Sequence, residues 1–291
     1  MFGEIASFLP SFIITFRETL EAALIIGIVL AFLYKTQQTQ YNMYVYWGIV
    51  VAILGSVISA FAFNALLGGF EGVNEQIFEG TMMILGAALI SWMILWMLQQ
   101  RHITKDIENE VKQRIEHHNA FAIGVLVFIS VLREGVETVI FLGTLSLKDG
   151  VGVSIFGAAI GIAIAAIFGY ALFRHFLKIK LKTVFNVTSI LLILFAAGLV
   201  AHGIHEFEEA GVVPIIIEHV WDVNPPLNAD GSFPLLHEKG LIGSIAVGLF
   251  GYNGNPSLVE VISYLAFIAL MYLLWQKYSK PGNEKKSLTQ V

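Results

Sequence analysis

Cysteine is absent from the chain, which excludes disulfides, iron–sulfur clusters and thiolate metal sites together. Any metal bound here is held by carboxylate, imidazole, carbonyl or thioether. Charge is also scarce. Only 13% of the 291 residues are Asp, Glu, Lys or Arg, where a soluble domain carries about 25%. With 56% hydrophobic residues, the chain has too few polar groups to cover a water-facing surface. Lipid is the solvent this composition requires, and nucleic-acid binding and cytosolic catalysis are excluded. The N-terminus lacks a basic stretch and an obvious small-residue cleavage site, so Met1–Glu4 reads as the start of a membrane helix rather than a signal peptide. Phe2 excludes N-myristoylation, which needs glycine there.

What is present is apolar and long. Seven stretches reach the roughly 20 residues that a span needs: 5–34, 44–68, 77–99, 120–147, 151–176, 184–208 and 257–276. The stretch 241–250 is too short to cross and is expected to lie at the interface or re-enter. Asn255 and Pro256 read as the cap and first residue of the last helix. Lys35, the group Arg101, Lys105, Lys112 and Arg114, the group Arg174, Lys178, Lys180 and Lys182, and the group Lys277, Lys280, Lys285 and Lys286 all fall on one side if seven spans alternate. Only Lys148 and Lys239 fall on the other. The positive-inside rule then places the N-terminus out and the C-terminus in. The 100–119 loop is expected to extend as a cytoplasmic helix paired through Glu108/Lys112 and Glu110/Arg114. His117 and His118 are adjacent, so they point apart on a helix and make a poor metal pair. The 209–256 segment faces outside and is expected to form an ordered cap that buries Trp221, Phe233 and the 241–250 run.

The chain repeats itself. Arg17-Glu18-Thr19-Leu20-Glu21, followed by Gly27, matches Arg133-Glu134-Gly135-Val136-Glu137, followed by Gly143, at an offset of 116. Spans 2 and 5 share small residues (Gly55, Ser56, Ser59 and Ala60 against Gly157, Gly161, Ala165 and Ala166). Spans 3 and 6 share Phe78/Thr81 and Phe185/Thr188. The unit is three helices, 1–99 and again 120–208, with a seventh at 257–276. Span 1 runs inward and span 4 outward, so the repeats are inverted. That is the architecture of many secondary transporters, whose substrate sits near the midplane. The fold expected is a single all-α membrane domain of seven helices.

Both Arg-Glu-x-x-Glu motifs fall at the centre of their spans. Each charge facing lipid there costs about 2.5–3.5 kcal/mol, so three per helix approach ~10 kcal/mol and must turn inward. Glutamates at i and i+3 share a helix face, and an arginine at i reaches a glutamate at i+4. Arg17 with Glu21 and Arg133 with Glu137 would leave one net negative charge per motif. Glu18, Glu21, Glu134 and Glu137 then form a hard-oxygen set suited to iron, manganese or magnesium. The competing reading is a buried ion-pair network that only locks helices, a role apolar packing fills as well or better. A second group, His202, His205, Glu206 and Glu209, follows i, i+3, i+4, i+7 on the last turns of span 6. With Glu71, Glu75 and Glu79 it could form an outer vestibule that attracts cations. Met93 and Met97 read as packing rather than a thioether path. Gly157-x-x-x-Gly161 fits either packing within the chain or a homo-oligomer face.

The two Arg-Glu-x-x-Glu motifs resemble the oxidase-dependent iron permease family of fungi and bacteria. So do His205-Glu206 with Glu209-Ala210-Gly211, and Gly251-Tyr252 with Asn255-Pro256-Ser257-Leu258. The resemblance covers nearly the whole chain. It implies iron import across the cytoplasmic membrane, with Glu18, Glu21, Glu134 and Glu137 as translocating ligands and Arg17 and Arg133 as the matching arginines. Iron is cargo, so neither cofactor nor catalytic residue is expected. Some bacterial relatives carry a long extracytoplasmic N-terminal domain, whereas this chain begins with span 1; an oxidase or iron-delivery partner would then be a separate protein. The motifs leave ferrous and ferric iron open. A manganese or other divalent-cation transporter, a membrane di-metal oxidoreductase and a metal sensor are the alternatives.

Overall fold

The computed structural model describes residues 2–67, 72–99, 107, 110–114, 120–147, 153–173, 181–228 and 233–279. Its helices include α1 (Phe2–Lys35), α2 (Asn42–Leu67), α3 (Val73–Gln99), α4 (Ala120–Ser146), α5 (Ile155–Phe173), α6 (Leu181–Glu209), α7 (Leu241–Phe250) and α8 (Leu258–Ser279), with a short 3-10 turn at Thr39–Tyr41. No strand occurs among the described residues. Four stretches are long and apolar enough to cross a membrane: Thr39–Ala65, Val73–Gln99, Thr183–Glu209 and Leu258–Ser279. Helices α1 and α4, at 34 and 27 residues, are also long, but each holds three charges near its middle. The exterior is apolar. On α2, Tyr46, Val50, Leu54, Ile58 and Phe61 face outward, and on α8 Ile262, Leu265, Leu273 and Tyr272 do. Such faces need lipid rather than water around them, and the chain is a membrane protein.

The chain divides into two units. The first comprises Met1–Glu71 and His102–Thr188. Within it α1 packs against α5 and α4, and α2 packs against α4. Glycine sets how close these helices come. A methyl group on Gly157 would stand 2.5 Å from the Phe8 carbonyl oxygen, and one on Gly161 2.6 Å from that of Phe12. Likewise a methyl group on Gly48 of α2 would stand 2.5 Å from the Gly124 carbonyl oxygen of α4. The Gly157-x-x-x-Gly161 face is therefore used within the chain, against α1. Thr15 adds a hydrogen bond across the same contact, its hydroxyl donating to the Ala158 carbonyl at 3.0 Å. One end of this unit is sealed by an apolar cluster of Val29, Leu33, Val45, Ile123, Val127 and Val111. Glu110 pairs with Arg114 at i,i+4 beside it. Glu108, His117 and His118 lie outside the described residues.

The second unit comprises Gly72–Arg101 and Ser189–Val291. In it α3 packs on α8, and α3 meets α6 where Gly80 faces Gly203, the carbonyl oxygen of one lying 2.7–3.0 Å from where the other's methyl group would be. Met93 is buried in α3, as packing requires. The connection from α6 begins at Gly211, whose φ of 72° places it in the left-handed region. Val212 N–H returns to the Phe207 carbonyl and Gly211 N–H to that of Glu208, a Schellman ending that only glycine adopts without strain. Beyond it, 217–224 runs beside 253–258, with Val220 N–H donating to the Pro256 carbonyl and Val223 N–H to that of Gly254.

Two local expectations are corrected here. Helix α8 starts at Leu258, with Ser257 as its cap in place of Asn255. Ser257 Oγ accepts from Glu260 N–H at 3.1 Å while Glu260 Oε1 accepts from Ser257 N–H at 3.0 Å, a reciprocal capping box that outcompetes a proline-first start. Trp221 and Phe233 are exposed at 41% and 36%. The Trp221 indole N–H donates to the Asn253 carbonyl, which satisfies its polar atom and leaves the ring free for a membrane interface. In α7 the buried residues are the small Gly243, Ser244 and Gly248, while Ile242 and Phe250 face out.

Candidate metal centre

The first unit brings the two charged motifs together. Apolar packing of α1 against α4 and α5 turns Arg17 and Glu18 fully inward, and Glu134 is equally buried. One carboxylate oxygen each from Glu18, Glu134 and Glu137 lie within 4.8 Å of one another. Glu18 Oε2, Glu134 Oε2 and Glu137 Oε2 are all buried without a hydrogen-bond partner. Buried acceptors are nearly always satisfied, so three unanswered carboxylate oxygens on residues that converge mark this group out.

Each arginine holds both glutamates of its own motif. Arg17 Nη1 lies 3.3 Å from Glu18 Oε1 and Nη2 3.0 Å from Glu21 Oε1. Arg133 Nη2 lies 2.8 Å from Glu134 Oε1, and Nε lies 3.3 Å from Glu137 Oε1. The i,i+4 pairs are present, and an i,i+1 contact that helix spacing does not suggest accompanies each. Glu21 stands outside the three-carboxylate set, on Arg17. The two guanidiniums differ in surroundings, since Arg17 is wholly buried and Arg133 is 42% exposed. Four carboxylates and two guanidiniums leave two negative charges when all are ionised.

The His202, His205, Glu206 and Glu209 group lies in the second unit. On α6, His202 Nε2 is 3.9 Å from Glu206 Oε1, and His205 Nε2 is 3.2 Å from Glu209 Oε1. The two imidazoles stack with centroids 5.8 Å apart. Glu209 is also joined to α3 through Gln76, whose amide donates to its Oε2 at 2.9 Å. Glu75 is exposed and Glu79 half-buried on α3; Glu71 lies outside the described residues. Two residues that the helix-face pattern missed belong here. Glu208 is buried against Ser257, which donates its hydroxyl to Glu208 Oε2 at 2.7 Å. Glu260 is buried too, its Oε1 lying 3.2 Å from His205 Nδ1 and its Oε2 accepting from the Asn253 amide at 2.9 Å. The i,i+3 spacing of His205 and Glu208, and the Ser257-x-x-Glu260 capping signature, were the available signals.

A protein of Archaeoglobus fulgidus is 33% identical to this chain over 273 residues, 92% of this chain and 95% of the relative. The ferrous iron permease EfeU of Yersinia pseudotuberculosis is 31% identical over 277 residues, covering 93% and 92%. That of Escherichia coli O6:K15:H31 is 29% identical over 268 residues, covering 90% and 92%. No solved structure matches the chain. Across residues 8–280, which include both Arg-Glu-x-x-Glu motifs and the His205 group, the sequence matches the iron permease FTR1 family, and the chain belongs to it.

Proposed function

We propose that the protein imports ferrous iron across the cytoplasmic membrane by alternating access, with Glu18, Glu134, Glu137 and Glu21 as the ligands that carry the ion. The observation that carries this reading is the trio of partnerless buried carboxylate oxygens from Glu18, Glu134 and Glu137. Carboxylate oxygens suit iron and manganese alike, and the names of the relatives favour iron. A divalent ion also neutralises the two surplus negative charges, whereas a ferric ion would overshoot them. Arg17 and Arg133 restrain the carboxylates and offset their mutual repulsion while the site is empty, and limit how tightly the ion is held when it is full. Glu21 joins the ligand set when Arg17 releases it. The His202, His205, Glu206 and Glu209 group collects the ion on the outer side.

The proposed frame is seven spans with N-terminus out, built from inverted repeats at 1–99 and 120–208. Helix pairing supports it: an exchange of α1 with α4 and α2 with α5 turns the α1–α5 contact into the α4–α2 contact. Phe8 and Gly124, 116 residues apart like the motifs, each place a carbonyl oxygen against a glycine of the partner helix, Gly157 and Gly48.

Radio-iron uptake into proteoliposomes tests the reading, with ferrous and ferric iron assayed separately and manganese as competitor. Saturable ferrous uptake that falls at least about tenfold in Glu18→Gln/Glu134→Gln is expected, in line with the loss of more than one ligand interaction. Uptake unchanged in that variant would reduce the glutamates to helix-locking ion pairs. Release triggered by glutamate protonation makes the flux pH-dependent, and a flat profile across the carboxylate range removes that step.

A further inference from the structure

The second unit holds a group that the midplane reading does not use. Around Ser257, α6 and α8 bring one atom each of His205, Glu208 and Glu260 within 4.8 Å of one another. We propose that these three residues form a second, independent cation site that takes a divalent transition-metal ion through one imidazole nitrogen and two carboxylates.

The construction of the site supports this. Glu208 is 95% buried, at 5% exposure, and its Oε1 has no hydrogen-bond partner, although its Oε2 is fixed by Ser257 at 2.7 Å. A carboxylate held in place by one oxygen while the other is left buried and unanswered is expensive unless something else binds there. The remaining ligands are also held in place. Glu260 is pinned by the Ser257 N–H and the Asn253 amide. His205 has its Nε2 against Glu209 and its Nδ1 directed at Glu260. Bound metal takes the place of the proton between His205 Nδ1 and Glu260 Oε1, and Glu209 then orients the imidazole from its far nitrogen, as outer carboxylates do for metal-bound histidine.

The donor set differs from that of the midplane. Glu18, Glu134 and Glu137 offer only oxygen, whereas imidazole shifts preference from magnesium and calcium toward iron, cobalt and zinc. The outer site therefore selects for transition metals, independently of what the midplane transports. The purified full-length chain in detergent tests this by equilibrium dialysis with Co2+ in the presence of excess Mg2+. In Glu18→Gln/Glu134→Gln/Glu137→Gln, which replaces the three converging midplane carboxylates and leaves only Glu21 on Arg17, one Co2+ per chain is expected to remain. Adding Glu208→Gln, which preserves shape and the Ser257 contact, is expected to weaken it by about tenfold or more. No Co2+ bound in the triple variant, or equal binding with and without Glu208→Gln, overturns the proposal. Pulsed electron paramagnetic resonance of Mn2+ on the unsubstituted chain avoids any folding effect of these changes. Nitrogen modulation that disappears in His205→Gln is expected, and its absence from the wild type overturns the assignment.

Discussion

Arg17 has no exposure to solvent and two carboxylates on its guanidinium, so its removal leaves buried negative charge with nothing to offset it. Arg17→Ala is expected to destabilise the protein by about 3–5 kcal/mol, the range for breaking a buried ion pair from one side. Arg133→Ala is expected to do less, because Arg133 is 42% exposed and Glu137, one of its two partners, is 26% exposed. Thermal unfolding in detergent, with and without ferrous iron, measures both. If bound iron replaces the lost charge, the Arg17→Ala deficit shrinks when iron is added; a deficit that iron does not change would place the ion elsewhere. The charged motifs were readable in sequence because repetition at an offset of 116 and burial in apolar spans mark them together. That Glu18, Glu134 and Glu137 converge while Glu21 stays on Arg17 was not readable, since helix spacing reports which residues share a face and not where two faces meet. Glu260 was hidden for the same reason: its partner on α6, His205, is 55 residues away in the chain.

At the scale of the helices, close approach rests on small residues. Without a hydrophobic force between helices in lipid, packing depends on how near the backbones come. Gly157→Val and Gly48→Val would each drive a side chain into a backbone carbonyl, of Phe8 and of Gly124. Both are expected to lower the yield of folded protein in size-exclusion chromatography, and to similar extents if the two contacts are equivalent. Gly72→Ala is the control. Gly72 has a φ of 64° and, among the described residues, nothing within 4 Å of where a methyl group would stand, so only the modest strain of a left-handed alanine applies, about 1–2 kcal/mol. Equal loss in all three would show that the glycines act through backbone freedom rather than contact. The helices themselves were legible as apolar runs, and α1 to α6 and α8 lie within four residues of the expected stretches at every described end. The start of α8 was misread because proline at the first position competes with a capping box one residue on, and the box satisfies two backbone donors where proline only spares one.

For the whole molecule, the distribution of Lys and Arg sets the expected orientation. The natural absence of cysteine makes every single-cysteine variant a clean probe. Thr39→Cys, in the turn after α1, is expected to react with an impermeant maleimide only from the cytoplasmic side, and Leu227→Cys only from outside. Labelling of Thr39→Cys on intact cells would reverse the proposed orientation. The sequence by itself determined the lipid solvent, the helical class, the duplicated charged motif and the family, because composition, run length and repetition are properties of the chain read in order. Tertiary structure decided which carboxylates meet, which glycines touch carbonyls, and that Glu208 and Glu260 join His205. Those outcomes depend on how separate helices rotate and cross to bury their faces, and that choice is made by contacts between residues far apart in the chain.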